Sequence, residues 1–233
     1  MSLLPAGHWY FDSVTQHVLG FHHPLATSLR LVKEDTLFDS VEPVLRLILD
    51  VAKEAGSANC EVCSLKDSLT SLLTRQGKFL SAMDVCQSMI ADDITRKDHR
   101  HERVRLNMNR LGYLYLAQRS YDGAEKMSLE VLSLALSDRG SGHPQPCAIL
   151  TCERLGILYK VKSDYERSER CFRQAVDWFS KKFTVDDTDV MVYLYKNLLS
   201  LLEEILVLQE RWDGVDRLHK DFPGFALGDV LYP

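Results

Sequence analysis

Residues able to do chemistry are few in this chain, and their spacing is loose. Cys60-Glu61-Val62-Cys63 is a lone Cys-x-x-Cys pair. Structural zinc needs four ligands in paired spacing. No second such pair follows, and His99 and His101 lie far off in sequence. The segment also lacks the strand-turn-helix setting of a redox motif. No metal and no cofactor is expected. Gly-x-Ser-x-Gly, a phosphate-binding glycine loop, a dinucleotide fingerprint and His-Glu-x-x-His are all missing, so no catalytic residue is assigned. A basic run, Arg96, Lys97, Arg100, His101, Arg103 and Arg105, is interleaved with Asp92, Asp93, Asp98 and Glu102. It reads as a solvated loop or, more sharply, as the contact for an acidic partner. The densest group of rings is N-terminal, from His8, Trp9, Tyr10 and Phe11 to His17, Phe21, His22 and His23. It reads as a packing cap or as the lining of an apolar ligand pocket.

Composition bounds the partners. The 233 residues are 45% hydrophobic and 26% charged, with a net charge of -5. That suits one compact domain or a short repeat array with a real core. The charge and a pI near 5.9 argue against nucleic acid and against anionic membranes. No apolar run approaches the roughly 20 residues of a membrane span; Leu198 to Leu208 is broken by Glu203 and Glu204. The N-terminus has no basic stretch followed by an apolar core, so a secretory signal is not read and a cytoplasmic location is expected. Six cysteines, at 60, 63, 86, 147, 152 and 171, are spread through helix-like sequence and read as buried thiols.

The elements that must position any site come from an internal repeat. Leu111-Gly112-Tyr113-Leu114-Tyr115 recurs as Leu155-Gly156-Ile157-Leu158-Tyr159, an offset of 44 residues. Ser120-Tyr121-Asp122 then matches Asp164-Tyr165-Glu166, with Ala124 matching Ser168 and Val131 matching Ala175. The pattern extends upstream to Leu69–Leu73 with Gln76-Gly77-Lys78-Phe79 and Ala82. Downstream it reaches Leu202–Leu206 with Arg211-Trp212-Asp213 and Val215. Each unit reads as a helix, a tight turn carrying Gly77, Ser120, Ser163 or Asp213, and a second helix. A small residue in the first helix should let the second approach. An aromatic after the turn (Phe79, Tyr121, Tyr165, Trp212) should plug the gap between them. Residues 24–56 read as a degenerate pair, with Asp39 or Ser40 and Pro43 near the start of a helix from Val44 to Ala55, and Gly56 at its end.

The spacing Leu-Gly-x-x-Tyr, aromatic, small, small resembles the tetratricopeptide repeat. Its longer unit is similar to the repeats of kinesin light chains, which carry a Gly-x-x-His-Pro loop between units. Gly140-Ser141-Gly142-His143-Pro144 matches that loop, as does Leu19-Gly20-Phe21-His22-His23-Pro24. His99 and Asp187 hold its register without the full motif. The resemblance covers roughly residues 12–220. It implies an all-α superhelix, an α-solenoid of antiparallel helix pairs, with the first helix of each pair lining a concave face. The inward residues it implies are Asp67, Ser68, Ser71 and Arg75; Asn109, Arg110, Tyr113 and Ala117; Glu153, Arg154, Ile157 and Lys160; and Asn197, Ser200, Leu201 and Glu204. The family's Asn-Asn pair is replaced by Asn109-Arg110 and Glu153-Arg154. Two guanidinium groups on adjacent ridges could fork onto a carboxylate or phosphate, or pair with nearby acids as structure.

Three regions are expected: a half repeat or cap over 1–23, the helical array over 24–220, and an apolar tail over 221–233. The tail's two Pro and two Gly forbid a long helix, and it should pack back on the last helices or occupy a groove. The expected function is a protein-interaction scaffold holding a peptide, an acidic one being the sharper reading. The alternative is a small-molecule binder, or a metal-free isomerase or cyclase, whose apolar pocket is closed by the N-terminal aromatics and the tail. A homo-oligomer through an unpaired N-terminal helix is a further expectation.

Overall fold

The computed structural model describes residues 35–56, 59–96, 102–137, 146–182 and 189–222. All regular structure among them is helical: α1 (Asp35–Glu54), α2 (Asn59–Arg75), α3 (Phe79–Arg96), α4 (Glu102–Ala117), α5 (Tyr121–Ser137), α6 (Pro146–Val161), α7 (Tyr165–Lys182), α8 (Asp189–Leu208) and α9 (Trp212–Asp221). The fold is an all-α helical repeat. The chain divides into two compact units, one holding α1–α4 and ending at Ser120, the other holding α5–α9.

The core follows from where small and apolar residues fall on the second helices. Ala82, Cys86, Met89 and Asp93 are buried in α3. Ala124, Ser128, Val131 and Ala135 are buried in α5, and Ser168, Phe172, Ala175 and Phe179 in α7. The spacing is four, three, four in all three helices, one stripe of an α-helix. The first helices supply the opposing leucines, including Leu69, Leu73, Leu114, Leu158 and Leu198. Each fully buried leucine contributes about 1.5–3 kcal/mol. The small residue in the first helix works as expected at Gly156. A Cβ there would stand 2.6 Å from Phe172 Cε1, so only glycine lets that fully buried ring close on α6.

Four first helices end in the same hydrogen-bonded hook. In the turn after α2, Gly77 N–H donates to Thr74 O (3.1 Å) and Lys78 N–H to Leu73 O (2.9 Å). Arg119 and Ser120, Ser163 and Asp164, and Glu210 and Arg211 repeat both bonds. This Schellman pattern needs a left-handed residue, and the four are Gly77 (φ 70), Arg119 (φ 59), Ser163 (φ 60) and Glu210 (φ 57). The last turn is therefore 209–211. Asp213, expected in it, instead lies in the first turn of α9.

Two other expectations are corrected. α1 begins at Asp35, and Pro43 lies inside it; a proline removes one rung of the ladder, and the apolar residues around this one continue the helix. Gly56 does close that helix, at φ 64 with its N–H on Lys53 O. Trp212 does not plug a gap, being 61% exposed as the first residue of α9, while Phe79, Tyr121 and Tyr165 are half-buried.

Candidate functional site

Each first helix shows a narrow half-exposed stripe between its buried faces. In α2 it is Ser64, Asp67, Ser71 and Arg75; in α6 it is Glu153, Ile157 and Lys160; in α8 it runs through Asn197 and Ser200 to the exposed Glu204. In α4 only Tyr113, Tyr115 and Ala117 of the C-terminal half are half-exposed. Ser68, Asn109, Arg110, Arg154 and Leu201 lie beneath these stripes, each buried.

Bonds between first helices one repeat apart tie the stripes together. In the α1–α4 unit, Arg110 Nη1 donates to Asp67 Oδ1 at 2.6 Å. Arg110 is buried and Asp67 half-exposed, so removing Asp67 would take the carboxylate from a buried guanidinium. In the α5–α9 unit, Asn197 Nδ2 donates to Glu153 Oε1 at 2.8 Å, and Lys160 Nζ to Glu204 Oε2 at 2.6 Å. Burial pushes the Glu153 carboxyl up to about 7, with the Arg154 charge and the Asn197 bond opposing it. Glu153 thus titrates near neutrality on a face whose other charges, Lys160 and Glu204, are paired with each other. Ser71 Oγ is buried with no hydrogen-bond partner among the described residues.

The second helices carry a separate polar lattice. Lys78 Nζ reaches Glu42 in α1 at 2.6 Å, Lys162 Nζ reaches Glu125 in α5 at 2.6 Å, and Arg211 Nη1 reaches Glu169 in α7 at 2.5 Å. In each case a base in one turn grips an acid on the preceding second helix. The bonds from Lys78 and Lys162 hold the Glu42 and Glu125 carboxyls below their usual range. These bases are 30–45% exposed, so each pair contributes under about 1 kcal/mol.

Of the basic run, the described side chains serve structure. Arg103 pairs with Asp93 at 3.2 Å and Arg105 is buried. Arg96 is the last residue of α3; Lys97, Arg100 and His101, together with the N-terminal rings, both His-Pro loops, His99, Asp187 and the tail beyond Phe222, lie outside the described residues. Among those described, no group of three or more His, Cys, Asp or Glu is arranged to hold a metal. Cys63, Cys86 and Cys147 are buried, and Cys152 and Cys171 are free thiols. Burial raises Cys152 to about 12 and Cys171 to about 11, which leaves both as inert thiols. No described helix is long and apolar enough to cross a membrane.

Residues 108–145 match the tetratricopeptide repeat family, and the match takes in the Gly140–Pro144 loop. The fold is a tetratricopeptide-repeat array. The crystal structure of BtubC (BKLC) from P. vanneervenii is similar over 99% of this chain and 95% of that one, with a TM-score of 0.69 at 16% identity. Two crystal structures of a putative kinesin light chain of Podosopora anserina with nearly identical TPR-like repeats, the first of them a point variant, give TM-scores of 0.61 and 0.60 at 10% and 12% identity. Each covers 95% of this chain, and 97% and 99% of the other. At these identities the likeness concerns the fold, and it includes the longer kinesin-light-chain-like unit. No curated protein matches the sequence. Repeats of this kind make the chain a protein-interaction scaffold in general terms.

Two clefts of the tetratricopeptide array escaped the sequence reading. One, of about 930 Å³, lies among the turn Lys162–Asp164, the start of α7, Gln209 and Arg211. The other, of about 380 Å³, lies between α7 and α9 over Val176, Leu202 and Leu218, rimmed by Arg173, Arg211 and Arg217. Both belong to the second-helix side, away from the first-helix positions that the repeat register marks. The arginines that line them are spaced like ordinary surface charge.

Proposed function

We propose that this tetratricopeptide array binds an extended protein segment of a cytoplasmic partner along the stripes of its first helices. The observation that carries the reading is the α6–α8 stripe, where Glu153, Ile157, Lys160, Asn197, Ser200 and Glu204 form one half-exposed surface braced by two inter-helix bonds. Asn197 offers an amide that both donates and accepts, as a peptide backbone requires. Ile157 supplies apolar contact. In the other unit Asp67, Ser71 and Tyr113 provide the same mixture, and Ser71 Oγ is left for a ligand to satisfy. The buried Asn109, Arg110 and Arg154 act from beneath: Arg110 fixes Asp67, and Arg154 sets the charge around Glu153. An acidic partner is disfavoured in the α6–α8 unit, since Lys160, the cation of that stripe among the described residues, is already paired with Glu204.

Affinity capture tests this. Ile157→Asp with Ser200→Arg changes half-exposed positions and spares the core, so the protein stays folded and partner recovery falls at least about tenfold. Equal recovery by both proteins would remove the stripe from the site.

Self-association is the second reading, favoured by Val44, Leu47, Ile48 and Val51, which are exposed on α1 at helical spacing opposite the buried Leu45 and Leu49. Light scattering of wild type and Leu47→Asp decides it: a concentration-dependent dimer that the substitution abolishes is expected, and a wild-type monomer at high concentration sinks the reading.

A further inference from the structure

We propose that the cleft between α7 and α9 is the docking groove for the chain's own segment 223–233. Three observations support that occupant. The first is the point of exit. Phe222 itself lines the cleft. Its N–H is held by Leu218 O at 3.0 Å, its ring stands edge-on to Tyr195 at 5.9 Å, and Tyr195 stacks on Phe179 at 4.9 Å. The chain is thus delivered to one end of the groove from a fixed anchor.

The second is charge. At the far end Arg173 and Arg211 share the single carboxylate of Glu169, at 2.8 Å and 2.5 Å, so that end carries surplus positive charge. Arg217, on the rim, is neutralised by Asp213. Asp177 is paired with Lys181, and Asp221 stands beside Phe222 at the exit. The floor between the ends is apolar, made by Val176, Leu202, Gly214 and Leu218. The fitting ligand is a short apolar segment that ends in an acid.

The third is pattern and length. Pro223-Gly224 is a turn pair, which can send the chain back over the groove. Phe225, Leu227 and Asp229 then alternate, so an extended chain presents all three on one face, two apolar groups and then a carboxylate. At about 3.3 Å per residue, Phe225 to Asp229 spans roughly 13 Å. The ten residues of α9 measure about 15 Å. The two apolar side chains fall over the floor when Asp229 meets Arg173 and Arg211. The groove is then an intramolecular site, and a partner segment of the same pattern must displace the tail at an effective concentration in the millimolar range.

Hydrogen exchange on the full chain tests the assignment, comparing wild type with Phe225→Asp/Leu227→Asp, which leaves the sequence of every described helix unchanged. Exchange in residues 212–222 is expected to rise about tenfold in the variant, with α2 and α3 unchanged. A synthetic peptide of residues 223–233 at several millimolar should restore that protection and should leave wild type unaltered, its groove being filled. Unchanged exchange in 212–222, failure of the peptide to restore it, or equal binding of the peptide to wild type would each overturn the proposal. An Asp229→Arg chain paired with Arg211→Glu adds a second check: each single change raises exchange and the pair recovers it.

Discussion

Glu153 is where the physics of single residues is most exposed to test. Its carboxyl titrates near 7 because burial costs more than the Arg154 charge and the Asn197 bond return. In the unfolded chain the group ionises near 4.5, so between these values the native state binds more protons and stability falls as pH rises. The loss is complete a little above pH 7 and amounts to at most about 3 kcal/mol. Glu153→Gln removes it. The variant should match wild type near pH 4.5 and exceed it at pH 8, with urea midpoints as the readout; an equal difference at both pH values would refute the assignment of burial as cause. The repeat register placed Glu153 on the stripe from sequence. It could not show that Arg110 is buried on Asp67, because that pairing joins residues 43 positions apart and depends on which way two neighbouring helices face. The same holds for Lys160 and Glu204. Sequence reads the face; the bonds across it are tertiary.

At the scale of elements, the turns were legible only where glycine marked them. Gly77 announces its left-handed residue, whereas Arg119 and Glu210 hold the same conformation with side chains that ordinarily avoid it. The hook survives there because the Schellman bonds to Tyr115 and Leu206, with their partners at Leu116 and Val207, are formed in full. A side chain at positive φ costs roughly 1 kcal/mol relative to glycine. Arg119→Gly, Ser163→Gly and Glu210→Gly should each stabilise the protein by about 0.5–1 kcal/mol, less the entropy glycine loses on folding, and Gly77→Ala should destabilise it by about 1 kcal/mol. These sites lie far apart in sequence and share no partner, so their effects should add. Urea denaturation of the singles and the triple checks both the sign and the additivity; a triple no more stable than wild type would mean the turns are relaxed. The start of α1 was hidden for the opposite reason. Pro43 is a helix breaker by rule, yet a single missing rung is tolerated inside a twenty-residue helix whose buried Leu45 and Leu49 hold it on α2.

At the scale of the whole molecule, a repeat array is held together by contacts between neighbours in sequence order. α8 is bounded by α7 and α9, and its Leu198 is fully buried. Leu198→Ala leaves a cavity costing about 2–5 kcal/mol. In a globular core with one cooperative transition that loss would appear in every slowly exchanging amide. Here the stability of each helix is set by its own packing and by the helices beside it, so the cost should fall on α7, α8 and α9 and fade along the chain. Hydrogen exchange followed by mass spectrometry should therefore show faster exchange in 165–182 and 189–221, with 59–96 unchanged at the same pH and temperature. The stripes of α6 and α8 would lose their bracing together, since the Glu153–Asn197 and Lys160–Glu204 bonds both join these two helices, while the Asp67–Arg110 bond would persist. Uniform acceleration reaching α2 and α3 would mean that the array unfolds as one body, and that a ligand held on the α6–α8 stripe stabilises the distant helices as much as the near ones.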